Sequence, residues 1–279
     1  MSVSVKGIDH LVIRVSDLDA SETAYRKLGF TLTPRGFHAG RTSANHTAPL
    51  SGGNYFELLH LPPGGDADSF PDREGLVAIA LSPNDSRAIY AELTRLGYRV
   101  EPPRDLSRPV DLPDGAREAR FLNASFPRIA PESVRWFACQ QLTRDLVWRP
   151  EWEAHANGAE RLVEAIVVHP SPAQLQATYA ELFGEAVRYE RECLVVAFPQ
   201  DKISFLSPAG FQARFPRIAL PAISAEGWFA AVILRAASRE RVEGVLSQSA
   251  VDFSRTPTGS IVVPPSEAAG AVLEFLAPA

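Results

Sequence analysis

A strand–helix–strand–strand–strand order that recurs four times constrains this chain more than any other feature. A repeat unit of this size cannot bury its own apolar face, so neighbouring copies must pack on one another. Each copy opens with an apolar strand: Ile8–Val15, Leu76–Leu81, Leu162–Val168 and Trp228–Leu234. A short turn carrying Ser, Asp or Pro follows, and these residue types suit the first turn of a helix. The helices are expected at Ala20–Leu28, Arg87–Leu96, Ala173–Phe183 and Arg239–Ser247. Three of them end at a glycine, Gly29, Gly97 or Gly184, which tolerates the left-handed C-cap; the fourth has Ala250-Val251 there. Short β-prone runs come next: Thr31–Pro34, Thr42–Ala48 and Asn54–Leu61 in copy one; Arg120–Ser125 and Val134–Leu142 in copy two. Cys193–Phe198 and Lys202–Leu206 belong to copy three, Ser260–Val263 and Ala271–Leu276 to copy four.

Ordinary βαβ units would show one strand per helix and a parallel sheet. Three strands after each helix point instead to an α+β chain of four tandem βαβββ modules. Anchoring on the helix ends makes His10, Ala78, Glu164 and Ala231 equivalent first-strand positions. They recur at nearly constant spacing apart from a longer middle step, where Thr143–Ala159 is inserted. The domain boundary is expected in that insertion, giving domains 1–145 and 160–279. Leu11, Val12, Val77, Ile79, Ile166, Val232 and Leu273 should be core.

Composition narrows function by exclusion. The net charge is −5 and no Lys/Arg run stands out, so neither nucleic acid nor an anionic membrane is expected as partner. Two cysteines, Cys139 and Cys193, make no disulfide framework or zinc cluster and fit a reducing cytoplasm. No signal-peptide pattern and no membrane-length apolar run is present. There is no G-x-G-x-x-G after a strand, no P-loop and no G-x-S-x-G elbow.

The residues of copy one carry a resemblance. They read Ile8-Asp9-His10-Leu11-Val12-Ile13, then Asp17-Leu18-Asp19-Ala20, Leu28-Gly29-Phe30, Thr42-Ser43-Ala44-Asn45-His46 and Tyr55-Phe56-Glu57-Leu58-Leu59. Further matching blocks are Cys139-Gln140-Gln141-Leu142-Thr143, Trp148-Arg149-Pro150-Glu151-Trp152 and His155-Ala156-Asn157-Gly158-Ala159. Together they resemble the glyoxalase-like domain family of the vicinal oxygen chelate superfamily; copies three and four match mainly in pattern. The resemblance implies that modules pair into two half-open curved-sheet barrels, one with two and three with four. It also implies a divalent metal (Fe, Mn, Ni or Zn) held by first and last strands, and a small substrate presenting two neighbouring oxygens. Lyase, isomerase and dioxygenase chemistries all occur on this fold, and fold does not select among them. A homodimer is a further expectation.

His10 on a first strand and Glu57 on a last strand are the expected metal ligands, since imidazole and carboxylate are donors these ions accept. A hydrogen-bonded core role for His10 and an arginine partner for Glu57 are the structural alternatives. His46 and Gln141 are expected as catalytic groups or further ligands, the resemblance implying a histidine at or beside Gln141. In copy two the His10 position is Ala78, which cannot ligate. Arg149 and His155 are candidate substrate contacts if the insertion is a lid; the alternative is a linker anchored by Trp148 and Trp152. His38 and His60 read as surface residues and His169 as a turn residue. The second pair offers Glu164, Ala231, Ser204 and Glu274, a poor transition-metal set, with an arginine the expected partner of Glu164. A metal-free binding protein and a decayed non-catalytic module remain the competing readings.

Overall fold

The structure, a computed structural model, describes residues 2–37, 42–62, 70–112 and 115–278. The first half runs β1 (Val5–Val15), α1 (Leu18–Lys27), β2 (Gly36–Phe37), β3 (Ala44–Pro49), β4 (Tyr55–His60), then β5 (Gly75–Pro83), α2 (Ser86–Arg95), β6 (Arg104–Leu112), β7 (Gly115–Ser125) and β8 (Arg135–Gln141). The connection holds a short helix α3 (Pro150–Glu153). The second half repeats the order: β9 (Ala159–Val168), α4 (Gln176–Phe183), β10 (Val187–Glu190), β11 (Cys193–Ala197) and β12 (Lys202–Leu206). An extra helix α5 (Pro208–Arg214) precedes β13 (Trp228–Ala236), α6 (Arg239–Gln248), β14 (Ser254–Arg255), β15 (Ile261–Val263) and β16 (Val272–Leu276).

Each half forms one eight-stranded sheet, ordered β2-β3-β4-β1-β5-β8-β7-β6 and β10-β11-β12-β9-β13-β16-β15-β14. The first strands of paired modules lie side by side and antiparallel at the centre, β1 on β5 and β13 on β9. Each first strand runs parallel to its own module's last strand. The pairing is therefore one with two and three with four. In the first sheet the edge strands β2 and β6 approach each other, so the curve nearly closes into a barrel.

Polar side chains cap three of the four repeat helices, while α4 starts after Leu175 with no side-chain cap. Asp17 accepts from the Ala20 N–H, Asp85 from Arg87 and Ser238 from Arg241. At the end of α6, Ala250 adopts φ +53°, in the left-handed region where the other copies place glycine. Several elements depart from the sequence pattern, the two-residue edge strands β2 and β14 and the helices α3 and α5 among them. Thr31–Pro34 is not a strand, although the Thr33 N–H bonds the Thr47 carbonyl; Pro34 has no N–H to extend that pairing. The strands β6 and β10 lie outside the apolar pattern because both are sheet edges with mostly polar faces, and Pro109 is tolerated in β6 for the same reason. His38 lies outside the described residues.

Strand alternation divides the interior. Leu11, Ile13 and Ile79 on the outer face of the first sheet pack with Ala165, Val232 and Leu234 of the second, and with Tyr25 and Tyr179 of the helices, in one shared core. Val12, Val77 and Ala78 face the concavity of the first sheet; Ile166, Ala231 and Ile233 face that of the second. All seven expected core residues are fully buried. Among the described residues no helix is long and apolar enough to cross a membrane.

Candidate functional site

The concavity of the first sheet holds a cavity of about 180 Å³, lined by strands of both modules. Its chemistry starts at a bulge. Ile8 pairs with Leu81 and His10 with Ala80, so Asp9 is the extra residue on β1 and turns its side chain to the same side as His10. The Asp9 Oδ1 lies 2.7 Å from His10 Nδ1 and also accepts from Gln141 Nε2 at 2.8 Å. A carboxylate only accepts, so the Nδ1 of His10 carries the proton and the Nε2 lone pair faces the cavity. Tyr55, directly opposite on β4, stacks on the imidazole at 4.4 Å between centroids, and Phe137 meets it edge-on at 5.4 Å.

Glu57 stands two residues beyond Tyr55 on the same face. Its Oε2 is 3.7 Å from His10 Nε2, and its Oε1 accepts from Asn45 Nδ2 at 2.6 Å. Asn45 and Thr47 share the inward face of β3, and Ser43 just before the strand also lines the cavity. The cavity is also lined by Arg108 of β6, which is only 5% exposed. Burial lowers the pKa of its guanidinium, while Tyr55 and Glu57 act the other way. Burial, then Asp9, Cys139 and Glu57, push the Tyr55 hydroxyl's pKa well up. Burial, Asp9 and Glu57 do the same to the Cys139 thiol, which therefore stays protonated at neutral pH.

The structure brings His10 and Glu57 together and sets Gln141 at one remove, behind Asp9. His46 lies on the opposite face of β3: its Nδ1 contacts the Thr33 carbonyl and its Nε2 lies 3.4 Å from Glu22 of α1. Arg149 pairs with Glu151 and lies outside the cavity wall. His155 is buried between the first half and the connection, accepting from the Thr31 N–H at Nδ1 and bonding the Pro49 carbonyl through Nε2. The connection behaves as a packed linker: Trp148 meets Tyr55 edge-on at 5.4 Å, and Leu146, Val147 and Trp152 fill the end of the barrel. Asp9, Asn45 and Arg108 are site residues that ligand chemistry alone passed over. Alternation points to Asn45, because Thr47 is opposite Glu57 and Asn45 shares its face.

A family model described as "Glyoxalase-like domain" matches residues 8–183. This chain belongs to the glyoxalase-like domain family, within the vicinal oxygen chelate superfamily. Among solved structures, a hypothetical protein from Staphylococcus aureus superposes with TM-score 0.69 at 12% identity, over 97% of this chain and 99% of that one. A triple mutant of 4-hydroxymandelate synthase from Streptomyces coelicolor gives 0.58 at 11% identity, over 98% and 92%. The 2,2',3-trihydroxybiphenyl 1,2-dioxygenase of Sphingomonas wittichii gives 0.54 at 13%, over 98% and 91%. These likenesses establish a shared fold. No curated protein sequence matches the chain.

The glyoxalase-like modules can be aligned by strand register. His10 pairs with Tyr55, two before Glu57; Ala78 with Arg135, two before Phe137; Glu164 with Lys202, two before Ser204; Ala231 with Val272, two before Glu274. The first barrel thus presents His10, Glu57, Ala78 and Phe137 at its four equivalent positions, and the second Glu164, Ser204, Ala231 and Glu274. In the second barrel α5 and the residues after it fill the concavity with Phe211, Phe215 and Ile218. Arg214 sits between the two carboxylates, 3.0 Å from Glu164 and 2.8 Å from Glu274. Burial alone would lower its pKa; Glu164 and Glu274 outweigh burial and the net shift is upward. A guanidinium of the protein's own occupies the centre of this half, and the arginine partner of Glu164 is identified.

The donor set bears on the divalent metal that the family fold implies. His10 Nε2 and Glu57 Oε2 are two suitable donors, and the Asp9 hydrogen bond to the far ring nitrogen is the arrangement metal-bound histidines adopt. Ala78 and Phe137 offer no donor. Asp9, His10 and Cys139 also cluster, with candidate ligand atoms within 4.8 Å of one another. There, however, Asp9 Oδ1 already serves His10 Nδ1 and Gln141, so of these atoms that carboxylate leaves only Oδ2, which is buried without a hydrogen-bond partner. Among the described residues, the donors at the equivalent strand positions are His10 and Glu57 alone, short of the three- or four-ligand protein set such ions take.

Proposed function

We propose that the first barrel is the active site of an enzyme that moves a proton on a small oxygenated substrate, with His10 as the acid–base group. The observation that carries this reading is the Asp9–His10 pair, which leaves the Nε2 lone pair aimed into a walled cavity beside Glu57. A substrate O–H or acidic C–H placed between Nε2 and Oε2 would face two proton acceptors. Asp9 would hold the ring's orientation and stabilise the imidazolium formed when Nε2 takes the proton. Asn45 would fix Glu57, and Glu57 would stabilise the same cation. Aromatic and leucine side chains around the pocket would exclude water and strengthen these interactions. Two of the structural neighbours are named enzymes, a synthase and a dioxygenase, which supports an enzyme over a passive binder on this fold. Because the metal donor set is incomplete, the chemistry proposed rests on the chain's own groups.

The test uses pools of small hydroxy- and oxo-acids incubated with the protein in D2O, with NMR detection of solvent deuterium entering a carbon site. Wild type should catalyse wash-in, and His10→Gln should lose it by about 10²–10⁴-fold, the contribution of a positioned general base. Equal wash-in by both proteins would remove His10 from the role.

A further inference from the structure

Arg108 is a buried cation whose position the chemistry at His10 does not explain. It lies on an edge strand, where an arginine would ordinarily reach solvent, yet alternation with Val110 turns it inward and leaves it 5% exposed. A guanidinium carries five N–H donors in a rigid fork. No hydrogen bond joins the Arg108 side chain to a described residue, and it lines the cavity. Glu57 lies near enough to favour its charge, but that carboxylate is held by Asn45. A second observation shows that the space is built for this side chain. At Gly36, on the opposite edge strand, a Cβ would come within 3.0 Å of Arg108 Nη1 and 2.5 Å of Asn45 Oδ1. The missing side chain at residue 36 is what lets Arg108 and Asn45 share the wall.

We infer that Arg108 is the anchor for a carboxylate of the ligand, and that the ligand is an aromatic monocarboxylic acid. A planar carboxylate matches the fork with two parallel hydrogen bonds, and desolvation strengthens them. A single negative charge suits a site that already holds Asp9 and Glu57; a dianionic phosphate would meet more repulsion from both. Two further arginines, Arg104 and Arg135, line the same cavity, so cations outnumber those two carboxylates around it. The body of the ligand would rest on Phe70, Phe121, Leu59 and Leu61, an apolar and aromatic wall. Phe70, Ser125 and Arg135 also line a wider neighbouring cleft and mark a way in.

This inference rests on the reading of the first barrel as the functional cavity, but not on proton transfer by His10. Calorimetric titration of the full chain with benzoate, with its neutral isostere benzamide and with inorganic phosphate separates the two. Wild type should bind benzoate roughly tenfold more tightly than benzamide, a difference of about 1.4 kcal/mol, since hydrogen bonds to a charged group are about twice as strong as neutral ones. Arg108→Lys, which keeps the charge and loses the fork, should weaken benzoate severalfold, and Arg108→Gln should abolish the preference over benzamide. Equal affinity of wild type for benzoate and benzamide, binding of neither, or unchanged benzoate binding by Arg108→Gln would each overturn the anchor. So would phosphate binding more tightly than benzoate. The wild-type comparison needs no variant, so it holds even where a variant fails to fold. Benzoate binding with the expected preference and no deuterium wash-in would keep the anchor and sink the proton-transfer reading.

Discussion

The Thr31 N–H donates to Nδ1 of His155, so the ring proton sits on Nε2 and goes to the Pro49 carbonyl. Both nitrogens are used by the neutral ring, leaving no place for a second proton. Burial lowers the pKa to about 4, with the Pro49 carbonyl opposing and Arg241 assisting. A folded-state value below the ordinary 6.5 means the unfolded chain binds the proton first. Stability from this residue is therefore full above about pH 6.5 and falls as the pH drops from there through about 4. The whole shift is on the order of 3 kcal/mol. Urea denaturation across that range should show the slope, and His155→Gln should flatten it; an unchanged slope would place its origin elsewhere. His46 shows the same dependence on what a side chain faces. Its ring is as good a ligand as that of His10, but one step along a strand puts it on the other face of the sheet, beside Glu22.

At the level of elements, register decides what the site can hold. On β8 the equivalent of Glu57 is Phe137, while Gln141 lies four residues on and bonds Asp9. An imidazole at Phe137 would stand beside His10, where Phe137 now packs edge-on. Phe137→His should therefore tighten Mn(II), Ni(II) or Zn(II) binding roughly tenfold or more over wild type, whereas Gln141→His should change it much less. Titration followed by calorimetry or Mn(II) EPR reads this without any substrate. Tighter binding in Gln141→His than in Phe137→His would show that β8 presents a different face to the metal. In the second barrel the corresponding positions are already closed by α5. Removing its cation with Arg214→Ala leaves Glu164 and Glu274 buried without it, a loss expected at about 3 kcal/mol, the low end for such pairs because the guanidinium keeps some solvent contact.

Across the whole molecule, the two sheets are joined by more than a linker. Leu11 and Ile79 pack in the same core as Ala165 and Val232. Asn54 acts as a substitute backbone for β9, donating to the Leu162 carbonyl at 2.8 Å and accepting from its N–H at 3.0 Å. Asp201 accepts from the Ile8 N–H and pairs with Arg161. Gly75 and Gly270 bring the two backbones so close that a Cβ on Gly75 would lie 3.1 Å from the Gly270 carbonyl. Residues 160–279 produced alone would expose the apolar face that Leu11 and Ile79 now cover. We expect that fragment to aggregate or to bind a hydrophobic dye such as ANS, and to lack a cooperative melt. A cooperative, dye-free melt of the isolated half would show that it folds as an independent domain.

The sequence by itself determined the βαβββ order, the pairing of modules and the faces of the long strands. The order and the strand faces follow from periodicity, because apolar runs set strands and caps and glycines set helix ends, whereas the pairing of modules was implied by the resemblance to the glyoxalase-like family. It also singled out His10 and Glu57 and anticipated an arginine on Glu164. Tertiary structure alone decided the rest. A one-residue bulge sets Asp9 behind His10, an edge strand of weak apolar pattern carries Arg108 inward, and helix α5 brings Arg214 to Glu164 and Glu274 across a long separation in the chain. Bulges, edge strands and long-range ion pairs leave no period in a sequence, because their energy comes from neighbours that only the folded chain supplies.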